Sequence, residues 1–322
     1  MYRTIKSRIL ALALVIAALT AVGCGGNGNA ATSPGGAPSS DNAATPAGDA
    51  TPAPDGGNSD ADTDFAGAVI VVSREDGSGT RGAFVELFGI LDENKIDQTT
   101  LDAEITNSTS VMISSVAGSA EAIGYISLGS LSSAVKALKI DGAEPSVASI
   151  KNGSYAISRP FNLALTTELS AAAQDFVSFI MSAEGQSVIE SGGYIKADEA
   201  AAPYSGGGID AGRVVIAGSS SVTPIMDKLK DAYLAINPSA QLEIQQSDSS
   251  TGVAAAIDGI CDIGMSSRAL KDSELERGVY ELTIATDGVA VIVSPNNPVD
   301  ALTREQVRAI FTGEIQDWAQ IR

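Results

Sequence analysis

Residues 68–84, Ala68-Val-Ile-Val-Val-Ser-Arg-Glu-Asp-Gly-Ser-Gly-Thr-Arg-Gly-Ala-Phe84, divide into three pieces whose order decides the fold. Val69, Ile70, Val71 and Val72 form an unbroken apolar run, the pattern of a strand buried on both faces. Residues 73–79 are polar and glycine-rich, so the chain turns there. From Thr80 onward, Ala83, Phe84, Leu87, Phe88 and Leu91 recur at three- and four-residue steps, which predicts an amphipathic helix. A strand, a tight Ser/Gly loop and a helix start aim free backbone N–H groups and the positive end of a helix dipole at one spot. Ser78 and Thr80 add hydroxyl donors, and Arg74 adds a fixed charge with a planar donor fork. The unit reads as a site for a small oxyanion.

The second half of the chain opens in the same way. Val214-Val-Ile-Ala217 is an apolar strand, Gly218-Ser-Ser-Ser221 is the turn, and Val222, Ile225, Met226, Leu229 and Tyr233 form a helical stripe with Pro224 in its first turn. Ser247-Asp-Ser-Ser-Thr-Gly252, followed by a helical pattern, is a third such loop, and Asp262-Ile-Gly-Met-Ser-Ser-Arg268 a fourth. Serine caps helices routinely, so one such unit means little. Two units in one chain suggest opposed walls around an anion. Between them the pattern predicts a polar connector with a short helix at 92–106, a helix at 108–117, and strands at 122–128, 135–140 and around Ile157. It predicts one long helix at 171–190. A loose stretch at 197–212 joins the halves, then come a strand at 280–294 and a helix at 304–311.

Composition narrows the class. The chain has 322 residues, 44% of them apolar, enough for a full core or two modest lobes. It carries no histidine, which removes the usual general base and the commonest metal ligand, so no enzyme activity, metal or cofactor is expected. A net charge of −19 argues against nucleic acid or an anionic membrane surface as partner. Arg3, Lys6 and Arg8 precede an apolar run at 9–22, too short to span a bilayer, as in a secretion signal. Residues 25–64 are Gly, Ala, Ser, Thr, Pro, Asn and Asp with no aromatic residue and no Lys or Arg, the composition of a flexible tether. Cys261, in an apolar run, reads as a small core residue.

The motifs together resemble the phosphate-binding lipoproteins of bacterial phosphate ABC transporters, a periplasmic-binding-protein type 2 family. They are Ser73-Arg-Glu-Asp-Gly-Ser-Gly-Thr-Arg81, Ala122-Ile-Gly-Tyr125, Gly218-Ser-Ser-Ser-Val222, Asp262-Ile-Gly-Met-Ser-Ser-Arg268, Asp287-Gly-Val-Ala-Val-Ile-Val293 and Ile310-Phe-Thr-Gly-Glu-Ile315 with Trp318. Leu19-Thr-Ala-Val-Gly-Cys24 is similar to a lipobox, which implies residues 1–23 as signal peptide and Cys24 as the lipidated first residue of an extracytoplasmic protein anchored to the outer face of the cell membrane. The resemblance implies an α/β fold of two lobes with the ligand between them, and no catalysis. Relative to the family the halves stand in reversed order, as in a circular permutation. A permuted monomer is the preferred reading, ahead of a domain-swapped dimer or a sequence incomplete at its C-terminus. One lobe would comprise 66–157 plus 292–322, the other 158–200 plus 212–291, with 201–212 as a glycine-rich linker and crossing strands near 157–163 and 289–294.

Carried over residue by residue, the resemblance implies phosphate contacts from Arg74, Ser78, Gly79, Thr80, Ser220, Ser221, Ser249 and Ser267, and inorganic phosphate and a membrane permease as partners. Some family members have an aspartate where Ser267 stands. The nearest matching carboxylate here is Asp76, which becomes the candidate acceptor for the proton that distinguishes monohydrogen phosphate from sulfate. Arg81 and Arg268 are read as structural ion-pair partners. The alternatives are binding of another oxyanion (sulfate, molybdate or tungstate) and sensing for a signalling partner. Gly77-Ser-Gly-Thr-Arg-Gly82 also fits a dinucleotide loop, but 97–104 lacks the second strand that such a site needs. A serine hydrolase would require a nucleophile elbow and a base, and the sequence has neither.

Overall fold

A solid apolar run makes a strand whose two faces are both covered, and from Val71 onward the first strand is buried throughout. The computed structural model describes residues 65–207 and 212–321. The signal-peptide, lipidation and tether expectations on residues 1–64, and residues 208–211 of the linker, lie outside the described residues. The opening elements are β1 (Ile70–Arg74), α1 (Gly79–Leu87), β2 (Glu104–Thr106), α2 (Thr109–Ala117) and β3 (Ala122–Ser127). Then follow β4 (Lys136–Ala137), β5 (Lys139–Ile140), α3 (Val147–Lys151), β6 (Ser158–Thr166), α4 (Ala171–Ile180), α5 (Ala183–Ser191) and β7 (Ile195–Lys196). The second half holds β8 (Arg213–Ser219), α6 (Thr223–Ile236), β9 (Gln241–Ser247), α7 (Ser249–Ile257), β10 (Ile263–Ser266), α8 (Asp272–Leu275), β11 (Val279–Val293), β12 (Ala301–Leu302) and α9 (Arg304–Phe311).

The two halves repeat one plan. In the first, β1 lies between β2 and β3, all parallel; in the second, β8 lies between β9 and β10, all parallel. Helices connect consecutive strands, as parallel pairing requires. β6 runs antiparallel beside β10. The long strand β11 pairs with β6 from Val279 to Gly288, then with β3 from Val289 to Val293. One strand therefore crosses from one lobe to the other. Each lobe has its own core. Phe84, Tyr125, Ile157, Val289, Phe311 and Trp318 belong to one, with the Phe84 and Tyr125 rings stacked at 3.9 Å between centroids. Phe161, Phe176, Phe179, Tyr233 and Ala285 belong to the other. The change of partner falls between Gly288 and Val289, at the start of the stretch 289–294 expected to cross between the lobes.

The first described strand and the last described turn are neighbours: the Val69 N–H donates to Gln316 O at 2.9 Å, and the Trp318 N–H to Gly67 O at 3.0 Å.

Three expected elements differ. The helix expected over 171–190 is two, because Ser182 caps α5 by accepting from the Gly185 N–H at 3.2 Å and the chain turns there. The 92–106 connector holds the short strand β2 and no helix among its described elements. Its register beside β1 comes from pairing that three residues cannot announce locally. The strand expected over 135–140 is split at Leu138, with β4 on β11 and β5 on β12. Cys261 is buried, and burial pushes its thiol up to about 11, so it packs as an inert core residue.

Candidate functional site

Each βα unit ends its strand in a hydroxyl-bearing loop at the same edge of its lobe, and the lobes turn these edges toward one another. Ser78 caps α1, Ser108 caps α2 and Asp248 caps α7, each accepting from the N–H three residues on. The α6 end instead begins in the loop at 220–222 with Pro224 in its first turn. Four helix N-termini thus meet, each bringing unpaired N–H groups and partial positive charge.

The side chains between them make a cluster sealed from water. Thr80, Ser220, Ser221, Ser249 and Ser267 are all buried, as are Ser78 and Arg74. Thr80 Oγ1 lies 2.8 Å from Ser221 Oγ, across the lobes. Thr109 Oγ1 lies 3.2 Å from Ser221 Oγ and 3.4 Å from Ser220 Oγ. Ser267 Oγ accepts from Ser219 Oγ at 3.0 Å and lies 3.3 Å from Ser249 Oγ. Gly79 must be glycine here, because a Cβ on it would stand 2.4 Å from Ser249 Oγ and 2.7 Å from Ser267 Oγ.

Arg74 is the cluster's one cation among the described residues. Its Nη2 donates to Ser220 Oγ at 3.0 Å, and Nε and Nη2 donate to the two Glu75 carboxylate oxygens at 2.8 Å each. Glu75 therefore aims the guanidinium across the lobes. The backbone behind it is held as well. Tyr125 Oη accepts from the Arg74 N–H at 3.2 Å and lies 2.8 Å from Ser73 Oγ. Burial pushes the Tyr125 phenol up to about 12, despite the opposing pull of those two hydrogen bonds.

Of the sequence-derived residues, the structure gathers Arg74, Ser78, Gly79, Thr80, Ser220, Ser221, Ser249 and Ser267 in one place. It does not bring Asp76 there. That side chain is 96% exposed and accepts from Arg81 Nη1 at 2.9 Å, because the loop turns it outward at the head of α1. Arg81 also pairs with Asp97 at 2.7 Å, and Arg268 with Glu274 at 2.7 Å. The cluster can thus offer an oxyanion hydroxyl and backbone donors and one guanidinium, which together replace a hydration shell.

A family model for a PBP superfamily domain matches residues 57–184 and 203–321. The chain belongs to the PBP superfamily. Among its relatives in that superfamily is Phosphate-binding protein PstS 2 of Streptococcus agalactiae serotype V, 51% identical over 272 residues that cover 83% of this chain and 92% of the relative. The crystal structure of a phosphate ABC transporter, phosphate-binding protein from Streptococcus pneumoniae TIGR4 is 41% identical, covers 80% of this chain and 100% of that one, and superposes with a TM-score of 0.64. Phosphate-binding protein PstS of Borreliella burgdorferi is 35% identical over 108 residues, 34% of this chain and 39% of that one.

Two features of this PBP-superfamily cleft escaped the sequence reading. Thr109 joins the cluster from α2, and the signal that could have found it is Asn107-Ser-Thr109, a hydroxyl pair just ahead of a helical pattern. Because β2 is so short, that pair did not read as the end of a strand. The second is the buried pair of Arg159 and Asp287, opposite one another on β6 and β11 at the crossing. Arg159 Nη2 lies 3.0 Å from Asp287 Oδ2, at the strand crossing and outside the anion cluster.

Proposed function

We propose that this chain captures inorganic phosphate between its two lobes and delivers it to the permease of an ABC transporter, without catalysing a reaction. The observation that carries the reading is the buried ring of hydroxyls around Arg74 where four helix N-termini meet, in a chain half identical to a phosphate-binding protein across most of its length. Arg74, Ser78, Gly79, Thr80, Thr109, Ser220, Ser221, Ser249 and Ser267 would ligate the anion. The lobes would open and close about the point where β11 and β6 cross. Cys24 would hold the chain to the outer face of the membrane by a lipid, with residues 25–64 as its tether.

Asp76 is the weak point for selectivity. It stands outside the cluster, and the adjoining Glu75 is taken up by Arg74, so no free carboxylate there would repel sulfate. This favours, as a second reading, a cleft that accepts both anions. Calorimetric titration of the full-length chain, stripped of ligand, with phosphate and then sulfate tests both, with Arg74→Ala as control. We expect phosphate binding that the substitution abolishes. Equal affinity for sulfate would establish the broader oxyanion binder, and binding of neither anion would remove the transport reading.

The permuted order has two supports. Gly67 and Trp318 are hydrogen-bonded neighbours, as new ends opened at a point where the family chain runs on would be. The match to the streptococcal relative runs through 83% of the chain, whereas the Borreliella match stops at 34%, the length expected when only one half can align in order.

A further inference from the structure

Gly77 contributes no side chain to the hydroxyl cluster, yet with Gly79 it is where the first lobe touches the head of α7. Its carbonyl accepts from the Ser250 N–H at 3.2 Å, a main-chain bond between lobes. That N–H belongs to the first turn of α7, where no intrahelical carbonyl can reach it, so water can take it as readily when the lobes part. Behind it, Arg268 Nη2 donates to Ser250 Oγ at 3.1 Å while the same guanidinium is clamped by Glu274. On the other side stands Asp248. A Cβ on Gly77 would lie 2.2 Å from Asp248 Oδ1 and 2.5 Å from its Cγ. Asp248 cannot swing away freely, because its carboxylate accepts from the Thr251 N–H at 2.9 Å and from Thr251 Oγ1 at 2.5 Å, capping α7.

We infer that Gly77, Asp248 and Ser250 form a closure latch that sets how readily the cleft shuts, and so tunes phosphate affinity without touching the anion; the inference rests on the closing cleft proposed above. The lip admits only hydrogen at position 77 when shut. The backbone there lies outside the left-handed region, so alanine is tolerated by the loop itself and is obstructed only by the opposite lobe. A latch of one ordinary hydrogen bond, exchangeable with water, adds only modestly to the Arg74–Ser220 and Thr80–Ser221 contacts between the lobes, as reversible capture needs. A ligand that binds the shut form then pays for any opening bias in its apparent affinity.

The test is a double-mutant cycle on the full-length chain, titrated with inorganic phosphate. Gly77→Ala must displace the Asp248 cap, which at ordinary cap strength raises the phosphate Kd about tenfold. Asp248→Gly should bind within about threefold of wild type, because glycine is itself a tolerated cap. The double variant should match Asp248→Gly, with the Gly77→Ala loss gone. Wild-type affinity in Gly77→Ala, or a tenfold loss that persists in the double variant, overturns the latch. Should the wild type bind no phosphate, the transport reading falls separately, and solution scattering of the ligand-free chains decides the latch. Gly77→Ala must then be more extended than wild type and the double variant must not, whereas equal profiles overturn the latch.

Discussion

Arg74 is buried with Glu75 as its bidentate partner, so its charge is aimed rather than free. An anion in the cleft therefore takes much of its stabilisation from hydroxyl and N–H dipoles, and single hydroxyls matter. Thr109→Val keeps the shape of the side chain and removes its donor. A hydrogen bond to a charged group contributes about 1.5 kcal/mol or more, so phosphate affinity should fall roughly tenfold while the thermal midpoint barely moves. Titration calorimetry beside a melting curve checks this, and unchanged affinity would remove Thr109 from the ligand set. The hydroxyls of the Gly-Ser-Gly-Thr and Gly-Ser-Ser loops were legible because glycine and serine crowd between an apolar run and a helical stripe. Thr109 was not, since a three-residue strand leaves too few apolar positions to show a period.

At the scale of elements, α1 is tied to the loop after it through Arg81, whose guanidinium reaches Asp97, Asp76 and the Arg74 carbonyl. Burial raises the Asp97 pKa, but the Thr99 hydroxyl and N–H and the Arg81 charge outweigh it and hold the carboxyl below its ordinary value. A folded-state pKa below the unfolded one, about 4, gives stability that is complete above that value and is lost as pH falls through the folded pKa. Asp97→Asn should therefore be less stable than wild type near neutrality, and the gap should close below about pH 4. Urea midpoints measured at neutral and acid pH would show it, and a gap constant with pH would mean the carboxylate charge is not what ties the loop. The same scale explains the divided helix at 171–191. The apolar spacing of Phe176, Phe179, Ile180, Val188 and Ile189 is helical throughout, and only the cap by Ser182 reveals the break. Periodicity reports the buried face, whereas a cap competes on equal terms with helix continuation and is decided by what packs around it.

For the molecule as a whole, β11 is the member that makes two lobes one protein, and Arg159 and Asp287 sit on it and its partner at the crossing. Burial raises the Asp287 pKa against the pull of Arg159, and Ser127 Oγ donates to the same carboxylate at 2.8 Å. Removing one partner leaves an uncompensated buried charge, so Asp287→Ala should cost roughly 3–5 kcal/mol in urea unfolding. Arg159→Met with Asp287→Leu should cost much less, and equal losses would show that packing rather than charge holds the hinge. By itself the sequence determined the βαβ units, the Ser/Gly loops that end their strands, the buried helix faces and the two-lobe class. Those features depend on local spacing and backbone freedom, which neighbouring residues alone express. Tertiary structure alone decided the rest: that Asp76 turns outward, that Thr109 enters the cluster, that Gly77 meets Asp248, and that the strand changes lobes at Gly288. Apart from Asp76, whose partner Arg81 stands five residues on, each of these is a meeting of residues far apart in the chain, set by strand register and by the approach of one lobe to the other, and no local pattern encodes such a distance.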